Sequence, residues 1–188
     1  MDNKPLIIGI SGASGAIYGV SLLKILREQT NIPTVLVISQ AGIRTLAEET
    51  TYTLEQVQNY ASMVCSVKDI GACIASGSYA TRGMIIAPCS VKTMSEIAHG
   101  ITSSLMSRAA DVCLKERRPL VLGIRETPFH SGHLRTMLEL SQMNAIIAPP
   151  LPAFYHGIPT IEDMIAQICY RWLSLVGIEL DDKKIWQG

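Results

Sequence analysis

Polar and glycine residues follow each of the five apolar runs in this sequence, and their types suit an anionic ligand. The segments, in chain order, are residues 11–15, Ser39, residues 88–93, residues 125–128 and the loop that carries Tyr155. Glycines allow tight turns and let backbone N–H groups approach an anion closely. Hydroxyl groups and arginine add donors for phosphate oxygens. Five such segments together predict a binding site for a phosphorylated ligand.

The first loop has the spacing Gly9-x-x-Gly12-x-x-Gly15 and leads into a segment with helical periodicity. The positive end of a helix stabilises a nearby anion by about 0.3–1 kcal/mol. A glycine-rich turn without a ligand is the alternative, and the spacing alone does not decide. Ala16 follows where a P-loop needs lysine, and the second run lacks the acidic residue of a dinucleotide site. Ser39 at that point suits the ribityl chain of FMN.

Two further segments carry groups that can act on such a ligand. Residues 90–93 (Ser-Val-Lys-Thr) open a helix and can bind a phosphate, although Ser90 is equally explained as a helix N-cap. Arg125 and Glu126 follow a predicted buried strand. An arginine binds phosphate or carbonyl oxygens, and a partly buried glutamate can transfer a proton. An ion pair between these two residues is the structural alternative.

Two pairs of cationic or imidazole side chains invite other interpretations. Arg108 and Lys115 are seven residues apart and share one face of a predicted helix. They form either an anion clamp or a solvated basic face, and spacing does not separate the two. His130 and His133 have no third ligand at metal-like spacing. We interpret this pair as the start of a helix and predict no metal site.

The apolar runs predict the elements that position these groups. Strands are expected at residues 5–10, 33–38, 83–87, 119–124 and 145–148, and helices at 16–29, 41–49, 53–62, from Ser90, at 103–116, 133–142 and 161–176. Continuous apolar strands that alternate with helices indicate a parallel sheet covered on both faces. Right-handed crossovers then give an α/β, three-layer, doubly wound sheet of the Rossmann or flavodoxin type. Such sheets bind ligands beyond the carboxyl ends of their strands.

Composition narrows the class of protein. Charged residues make up 17% of the 188 residues and the net charge is +0, against about 25% charged residues in an average soluble domain. Surface covered by other copies of the chain explains this deficit, so we expect a homo-oligomer. A basic stripe for nucleic acid, a membrane-spanning run and a secretory signal are all missing. Five scattered cysteines without a CxxC pair predict reduced thiols in a cytoplasm, with most of them in the core.

Together, these motifs are similar to the UbiX-type flavin prenyltransferases, within the homo-oligomeric FMN-binding Cys-decarboxylase-like flavoproteins. The matching segments are Gly9-Ile-Ser-Gly-Ala-Ser-Gly15, Ser76-Gly-Ser78, Ala87-Pro-Cys-Ser-Val-Lys-Thr93, Arg108-Ala-Ala-Asp-Val-Cys-Leu-Lys-Glu-Arg-Arg-Pro119, Arg125-Glu-Thr-Pro128 and Pro152-Ala-Phe-Tyr155. They occur in the family's order over nearly the whole chain. The resemblance implies one flavoprotein domain over residues 1–188, in which residues 160–188 complete the site or the subunit interface.

The resemblance also implies roles for individual residues. The implied FMN contacts are Gly12, Ala13, Ser14, Ser39, Ser90, Val91, Lys92, Thr93 and Arg125. The implied site for dimethylallyl phosphate contains Lys115, Tyr155, Arg171, Arg108 and Trp186, with Glu49, Ser14 and the active-site glutamate Glu126 as further catalytic residues. The implied reaction joins the dimethylallyl group to N5 and C6 of reduced FMN without a metal. Its product, prenyl-FMN, serves a UbiD-type decarboxylase, and family members are cytoplasmic and commonly dodecameric.

One departure and several alternatives accompany this resemblance. Ile70 lies in the stretch where better-known members can carry a tryptophan, so an aromatic face for an allyl cation is missing there. Direct decarboxylation of aromatic acids, or an FMN-binding accessory subunit for it, is the main alternative. A cysteine decarboxylase is disfavoured because no histidine precedes His99. The choice between a monophosphate and a diphosphate donor stays open.

Overall fold

The computed structural model describes residues 4–154 and 160–180. Six parallel strands form one sheet in the order β3-β2-β1-β4-β5-β6. The strands are β1 (Leu6–Ile10), β2 (Thr34–Ile38), β3 (Met63–Ser66), β4 (Gly83–Cys89), β5 (Leu120–Ile124) and β6 (Ala145–Ile147). The helices are α1 (Ala16–Gln29), α2 (Gln40–Glu49), α3 (Leu54–Tyr60), α4 (Val91–Ala98), α5 (Leu105–Lys115), α6 (Ser131–Gln142) and α7 (Ile161–Leu175), with a short 3₁₀ helix at Cys73–Ala75.

The sheet is covered on both faces, as the continuous apolar runs predict. Every residue of β1, β2, β4 and β5 is buried. One core cluster packs α1, α2, α3 and α7 on one face, and a second packs α4, α5 and α6 on the other. These layers confirm the three-layer, doubly wound fold. The chain order reverses between β1 and β4, which is where ligands bind in such sheets.

The edge strand β3 was not among the five predicted strands, so that part of the prediction was wrong. Its residues are mostly exposed, including Met63 and Val64. Strand prediction from one sequence depends on a buried apolar run or on strict alternation. A four-residue edge strand with one covered side gives neither signal. The correction adds a sixth strand beside β2 and leaves the carboxyl edge of the other five unchanged.

Three of the five cysteines are core residues, as predicted: Cys89, Cys113 and Cys169 are buried. Burial raises the pKa of the Cys113 thiol to about 12, which makes it unreactive near neutral pH. The other two, Cys65 and Cys73, are only partly buried. Within the described residues, no helix is both long enough and apolar enough to cross a bilayer.

Candidate active site

A crevice opens at the carboxyl ends of β1, β2, β4 and β5, because α1 and α4 leave their strands toward opposite faces of the sheet. The turn at residues 11–15, Ser39, Ser90 and Arg125 all follow strands at this edge. The structure therefore brings the predicted FMN contacts to one side of the molecule. The residues that the resemblance assigns to the prenyl donor are distributed differently, as described below.

Ser11 links the loop after β1 to the loop after β4 by hydrogen bonds. Its hydroxyl donates to the Pro88 carbonyl at 2.8 Å and accepts from the Ser90 N–H at 2.7 Å. Its own N–H also donates to the Pro88 carbonyl, at 3.1 Å. Ser11 is buried, so these bonds form in a poorly solvated place where they constrain geometry strongly. Sequence reasoning placed Ser11 in the loop without giving it this role.

The turn after β1 needs its glycines for two different reasons. A Cβ atom on Gly12 would lie 2.3 Å from the Cβ of Ala41 in α2, so no side chain fits there. Gly15 has a φ of 100°, in the left-handed region that side chains disfavour. The turn therefore packs directly against α2 and presents backbone to the crevice.

Glu49 occupies the N-terminus of α1, which sequence reasoning had considered for a phosphate. Its Oε2 accepts from the Gly15 N–H at 2.7 Å and from the Ala16 N–H at 3.2 Å. Burial alone would raise the pKa of Glu49. Hydrogen bonds from Ser14 and these two amides, with the positive charge of Arg125, outweigh burial and lower the pKa. A carboxylate thus already neutralises the positive end of α1, which weakens the prediction of a phosphate at that position.

Ser39 and Ser90 both cap helices that begin at the crevice. The Ser39 hydroxyl accepts from the Gly42 N–H at 2.9 Å, at the start of α2. The Ser90 hydroxyl accepts from the Thr93 N–H at 3.3 Å, at the start of α4. The N-cap interpretation of Ser90 is therefore confirmed. Lys92 lies on the exposed side of α4 and pairs with Glu96 at 2.8 Å.

Arg125 and Glu126 do not pair with each other among the described residues, so the ion-pair alternative was wrong. The Glu126 carboxylate accepts from the neighbouring Thr127 N–H at 2.8 Å. The Arg125 N–H donates to the Cys89 carbonyl at 3.1 Å, which fixes the backbone at the end of β5. The positive charge of Arg125 contributes to lowering the pKa of Glu49. Its guanidinium is therefore within electrostatic range of Glu49, beside the Ser14 turn.

Tyr18 is a crevice residue that sequence reasoning missed. Burial raises the pKa of Tyr18, with a smaller contribution from Cys169, while the charge of Arg125 acts in the opposite direction. The ring meets Trp172 edge to face at 5.4 Å, and the Trp172 Nε1–H donates to the Ala148 carbonyl at 3.0 Å. Tyr18 received no role from the sequence, and its position one turn after Gly15 is the one local signal that could have suggested the crevice.

Lys115 and Arg108 lie away from this crevice within one chain. Helix α5 begins near Val67, beyond the carboxyl end of β3, where the Leu105 N–H donates to the Val67 carbonyl. It runs to Lys115 at the amino edge of the sheet, just before β5. The five residues of β5 span about 16 Å between that edge and Arg125. The structure therefore does not bring Lys115 into the crevice of its own chain.

Both cations instead pack around residues 75–79. Arg108 donates to the Ala75 carbonyl at 3.1 Å and pairs with Asp111 at 2.7 Å. Lys115 pairs with Glu116, and a Cβ on Gly77 would lie 2.7 Å from its Nζ. The Ser-Gly-Ser segment and the end of α5 therefore form one basic corner, in which the Lys115 and Glu116 side chains are partly exposed.

Arg171 lies on α7, on the opposite face of the sheet from α5. It is exposed, donates to the Ser174 hydroxyl at 3.3 Å, and lines a groove of about 730 Å³ between α7 and the edge strand β6. The side chain of its neighbour Trp172 reaches the Ala148 carbonyl, just after β6. Tyr155 and Trp186, the other predicted donor-site residues, lie outside the described residues.

The two histidines that could have suggested zinc start a helix, as predicted. The His130 Nδ1 accepts from the Gly132 N–H at 3.0 Å and caps α6, and its ring stacks on His133 at 3.6 Å. Across residues 4–154 and 160–180, no cluster of three or more His, Cys, Asp or Glu side chains is placed to hold a metal ion.

Comparison with known proteins gives matches over nearly the whole chain. Residues 1–172 match the family described as Flavoprotein. The flavin prenyltransferase UbiX of Escherichia coli strain K12 is 53% identical over 187 residues, which are 98% of this chain and 99% of that protein.

Two solved structures share the fold closely. The crystal structure of AnUbiX in complex with FMN and dimethylallyl pyrophosphate has a TM-score of 0.96 and 42% identity, over 99% of this chain and 98% of that one. A dodecameric FMN-dependent UbiX-like decarboxylase from Escherichia coli O157:H7 has a TM-score of 0.93 and 43% identity, over 98% and 99% of the two chains.

Proposed function

The chain belongs to the flavoprotein family and, within it, to the UbiX-type flavin prenyltransferases, and on this premise we infer that it joins a dimethylallyl group to reduced FMN. The observation that carries this function is the crevice itself. The Gly12 turn, Ser39, Ser90 and Arg125 follow strands at one edge of the sheet. The fold aligns over 99% of the chain with a UbiX bound to FMN and a prenyl donor.

The residues of the crevice fit FMN. The donor set is a run of backbone amides, two hydroxyls at helix starts and an exposed guanidinium, which together suit a phosphate and a ribityl chain. Because Glu49 already occupies the N-terminus of α1, we assign the phosphate to residues 90–93 and Arg125. We assign the ribityl chain to Ser39 and to the turn at residues 12–14.

Reduced FMN supplies N5 and C6, the two atoms to which the dimethylallyl group becomes attached. The chain's contribution is to stabilise the phosphate that leaves as the allyl group acquires positive charge. Lys115, Arg171 and the Tyr155 hydroxyl are the proposed donors to that phosphate. Loss of one preorganised donor in comparable sites raises the barrier by about 3 kcal/mol. Cationic side chains in this role make a metal unnecessary.

Glu126 is the proposed acceptor for the proton that leaves C6 during ring closure. It follows Arg125 directly and is only half-buried, so its carboxylate can turn toward a flavin held at Arg125. The Thr127 N–H that it accepts from holds the carboxylate near the end of β5. A positioned carboxylate of this kind contributes about 10²–10⁴-fold to a rate.

A second copy of the chain supplies Lys115 in this proposal. Lys115 and Arg171 lie on opposite faces of the sheet, and Lys115 is about one strand length from Arg125 in its own chain. Closed oligomers place different surfaces of identical chains against each other. A basic corner at Gly77 and Lys115 that meets the crevice of a neighbouring copy would complete the donor site. The dodecameric relative supports an assembly of this kind.

The biological setting follows from the product. Prenyl-FMN is useful only to an enzyme that takes it up, and we propose a UbiD-type decarboxylase as that recipient. We also propose that the chain works in the cytoplasm, where thiols such as Cys65 and Cys73 stay reduced.

Anaerobic incubation with reduced FMN and dimethylallyl phosphate tests the function. Mass spectrometry of the released flavin should show a gain of one prenyl unit, and omission of the donor is the control. The same incubation with the diphosphate identifies the preferred donor. Unchanged flavin, together with release of CO₂ from a phenolic acid by the purified chain alone, would instead establish the decarboxylase alternative.

A further inference from the structure

Three sulfur atoms meet at the β3 edge of the sheet. Met63 and Cys65 are alternate residues of β3, so their side chains project to the same face of the strand. Cys73, in the 3₁₀ helix that packs over this face, has its Sγ 3.9 Å from the Met63 Sδ. Cys65 and Cys73 both pack against the core cluster on this side of the sheet, and Cys73 is one of the groups that raise the pKa of the Cys65 thiol. The cluster therefore contains two thiols and one thioether, with a direct sulfur–sulfur contact between Cys73 and Met63.

The sulfur atoms of this cluster are accessible to solvent, and few other metal-binding side chains lie near them. Met63 is 42% exposed and both cysteines are partly buried, unlike the three buried cysteines of the core. The side chains packed beside it are mainly apolar, with Val67 and Ala72 among them. Tyr79 packs against the same core cluster as Cys73, and Asp69 is the charged group that raises the pKa of Cys65.

We propose that Met63, Cys65 and Cys73 form a binding site for Cu(I). Thiolate and thioether sulfurs are the ligands that this soft cation prefers, whereas magnesium, calcium and manganese prefer oxygen. Metal–sulfur bonds of about 2.3 Å in a trigonal arrangement place the sulfurs about 4 Å apart, which is close to the observed 3.9 Å. Zinc, which normally takes four ligands, fits three sulfurs less well.

Binding breaks two S–H bonds, forms two Cu–thiolate bonds and one Cu–thioether bond, and releases two protons. It changes no oxidation state. Burial raises the pKa of the Cys65 thiol, and Cys73 and Asp69 raise it further. Protons therefore compete with the metal for the sulfur ligands. The apparent affinity for Cu(I) should increase with pH.

Anaerobic titration of the full-length protein with Cu(I), in competition with a chromophoric Cu(I) chelator, tests the site. We expect one tightly bound Cu(I) per chain and three sulfur ligands in the X-ray absorption spectrum. Cys65→Ser and Cys73→Ser should each weaken binding by at least about 100-fold, and Met63→Leu by about 10-fold. Met143→Leu, the same change at another exposed methionine, should bind as the unmodified chain does.

Two results would overturn the site. One is Cu(I) affinity that stays unchanged in Met63→Leu and in both serine variants, which would place any bound copper elsewhere. The other is reduced protein that binds no Cu(I) but in which oxidised glutathione joins Cys65 to Cys73, with release of two reduced glutathione molecules. That outcome would make the two cysteines a thiol–disulfide pair. Met63→Leu changes an exposed side chain, so it stays informative even if a cysteine variant misfolds.

Discussion

Two carboxylates at the crevice have different surroundings and, in our account, different tasks. Glu49 accepts hydrogen bonds from two backbone N–H groups and has a lowered pKa. Its carboxylate is therefore ionised at neutral pH, and we assign it a structural role. Glu126 accepts one bond from its neighbour Thr127 and is half-buried at the end of β5. Environments that separate two carboxylates in this way commonly distinguish an acid–base residue from a fixed charge. We therefore expect substitutions at the two positions to have different consequences.

Glu126→Gln should keep bound FMN and lose product, because the amide fills the same space but cannot accept the proton from C6. The expected loss in the rate of prenyl-FMN formation is about 100-fold or more. Flavin content is measured by absorbance and product by mass spectrometry. Glu139→Gln, the same change on the exposed side of α6, is the control. Wild-type turnover in Glu126→Gln would remove this residue from the mechanism.

Glu49→Gln should destabilise the protein in a pH-dependent way. A negative charge at a helix N-terminus contributes about 0.3–1 kcal/mol, and solvent exposure of Glu49 favours the lower end. Because the folded-state pKa is below the ordinary value, the contribution is complete above about pH 5 and is lost as the pH falls through that lowered pKa. Urea unfolding at pH 7 and at pH 3.5, at one protein concentration, measures the difference.

Glu48→Gln is the matched control for that experiment. Glu48 pairs with Arg44 on the exposed side of α2, where an ion pair contributes little. An effect of Glu48→Gln as large as that of Glu49→Gln, or an effect of Glu49→Gln that persists at pH 3.5, would contradict the capping role.

For individual residues, some roles could be predicted from the sequence alone and others could not. Ser90 could be predicted as an N-cap, because the residue type and the helix that follows are local information. Glu49 could be identified only through the family resemblance, since nothing local distinguishes it from Glu48. Its contact with Gly15 joins residues 34 positions apart. Tyr18 was missed for the same reason, because its neighbours Arg125 and Trp172 come from distant elements.

Among the elements, the turn between β1 and α1 depends most on close packing. Gly12 lies against Ala41 of α2, so the first loop and the second helix share one fixed arrangement. That arrangement determines how the backbone amides of residues 12–14 are oriented toward the crevice. A change at Gly12 should therefore affect the fold and flavin binding together.

Gly12→Ala should lower both stability and flavin content. The added Cβ would lie 2.3 Å from the Ala41 Cβ, and relief of such overpacking costs about 1–3 kcal/mol. Denaturant unfolding and the flavin-to-protein absorbance ratio measure the two effects. Gly71→Ala, whose Cβ would meet its nearest atom at 3.5 Å, should change stability by less than about 0.5 kcal/mol. Full flavin content in Gly12→Ala would show that the turn does not contact FMN.

Most elements could be predicted because burial and periodicity agree in them. Helix α1 was predicted at residues 16–29 and is observed at Ala16–Gln29. Strand β4 extends two residues beyond its prediction, to Cys89. Pro88 is typical of a strand end, but Ile86 and Cys89 both pair with β5, with a register shift between them. Strand β3 could not be found, because an exposed edge strand has no buried run.

For the whole molecule, the low charge fraction has a visible counterpart on the surface. Leu134 and Leu138, one turn apart on α6, are 54% and 56% exposed, and Leu151 beside the α7 groove is 78% exposed. Apolar side chains grouped on a surface indicate contact with another protein. In the proposed oligomer, coverage by other copies of the chain would account for both the exposure and the composition. One relative of known structure is dodecameric.

The proposed division of the donor site between two chains could not be predicted from spacing. The sequence and the resemblance grouped Lys115 with Arg171 because both carry a charge that suits a leaving phosphate. The fold separates them, because α5 and α7 cover opposite faces of the sheet. Only the assembled oligomer can reunite them, and this is the central claim of the proposed mechanism.

Mixed oligomers of two inactive variants test that claim most directly. Ser14→Asp places a carboxylate beside Glu49 and should abolish flavin binding in its own crevice, while Lys115→Ala should remove the donor from a neighbouring one. Each variant alone should form almost no prenyl-FMN. In oligomers formed at random from equal amounts of the two variants, about one quarter of the sites should combine an intact crevice from one chain with an intact Lys115 from another. The yield of prenyl-FMN, measured by mass spectrometry, should therefore be about one quarter of the wild-type yield. Hybrids that contain both chains in equal amounts yet form no product above the single variants would contradict the account.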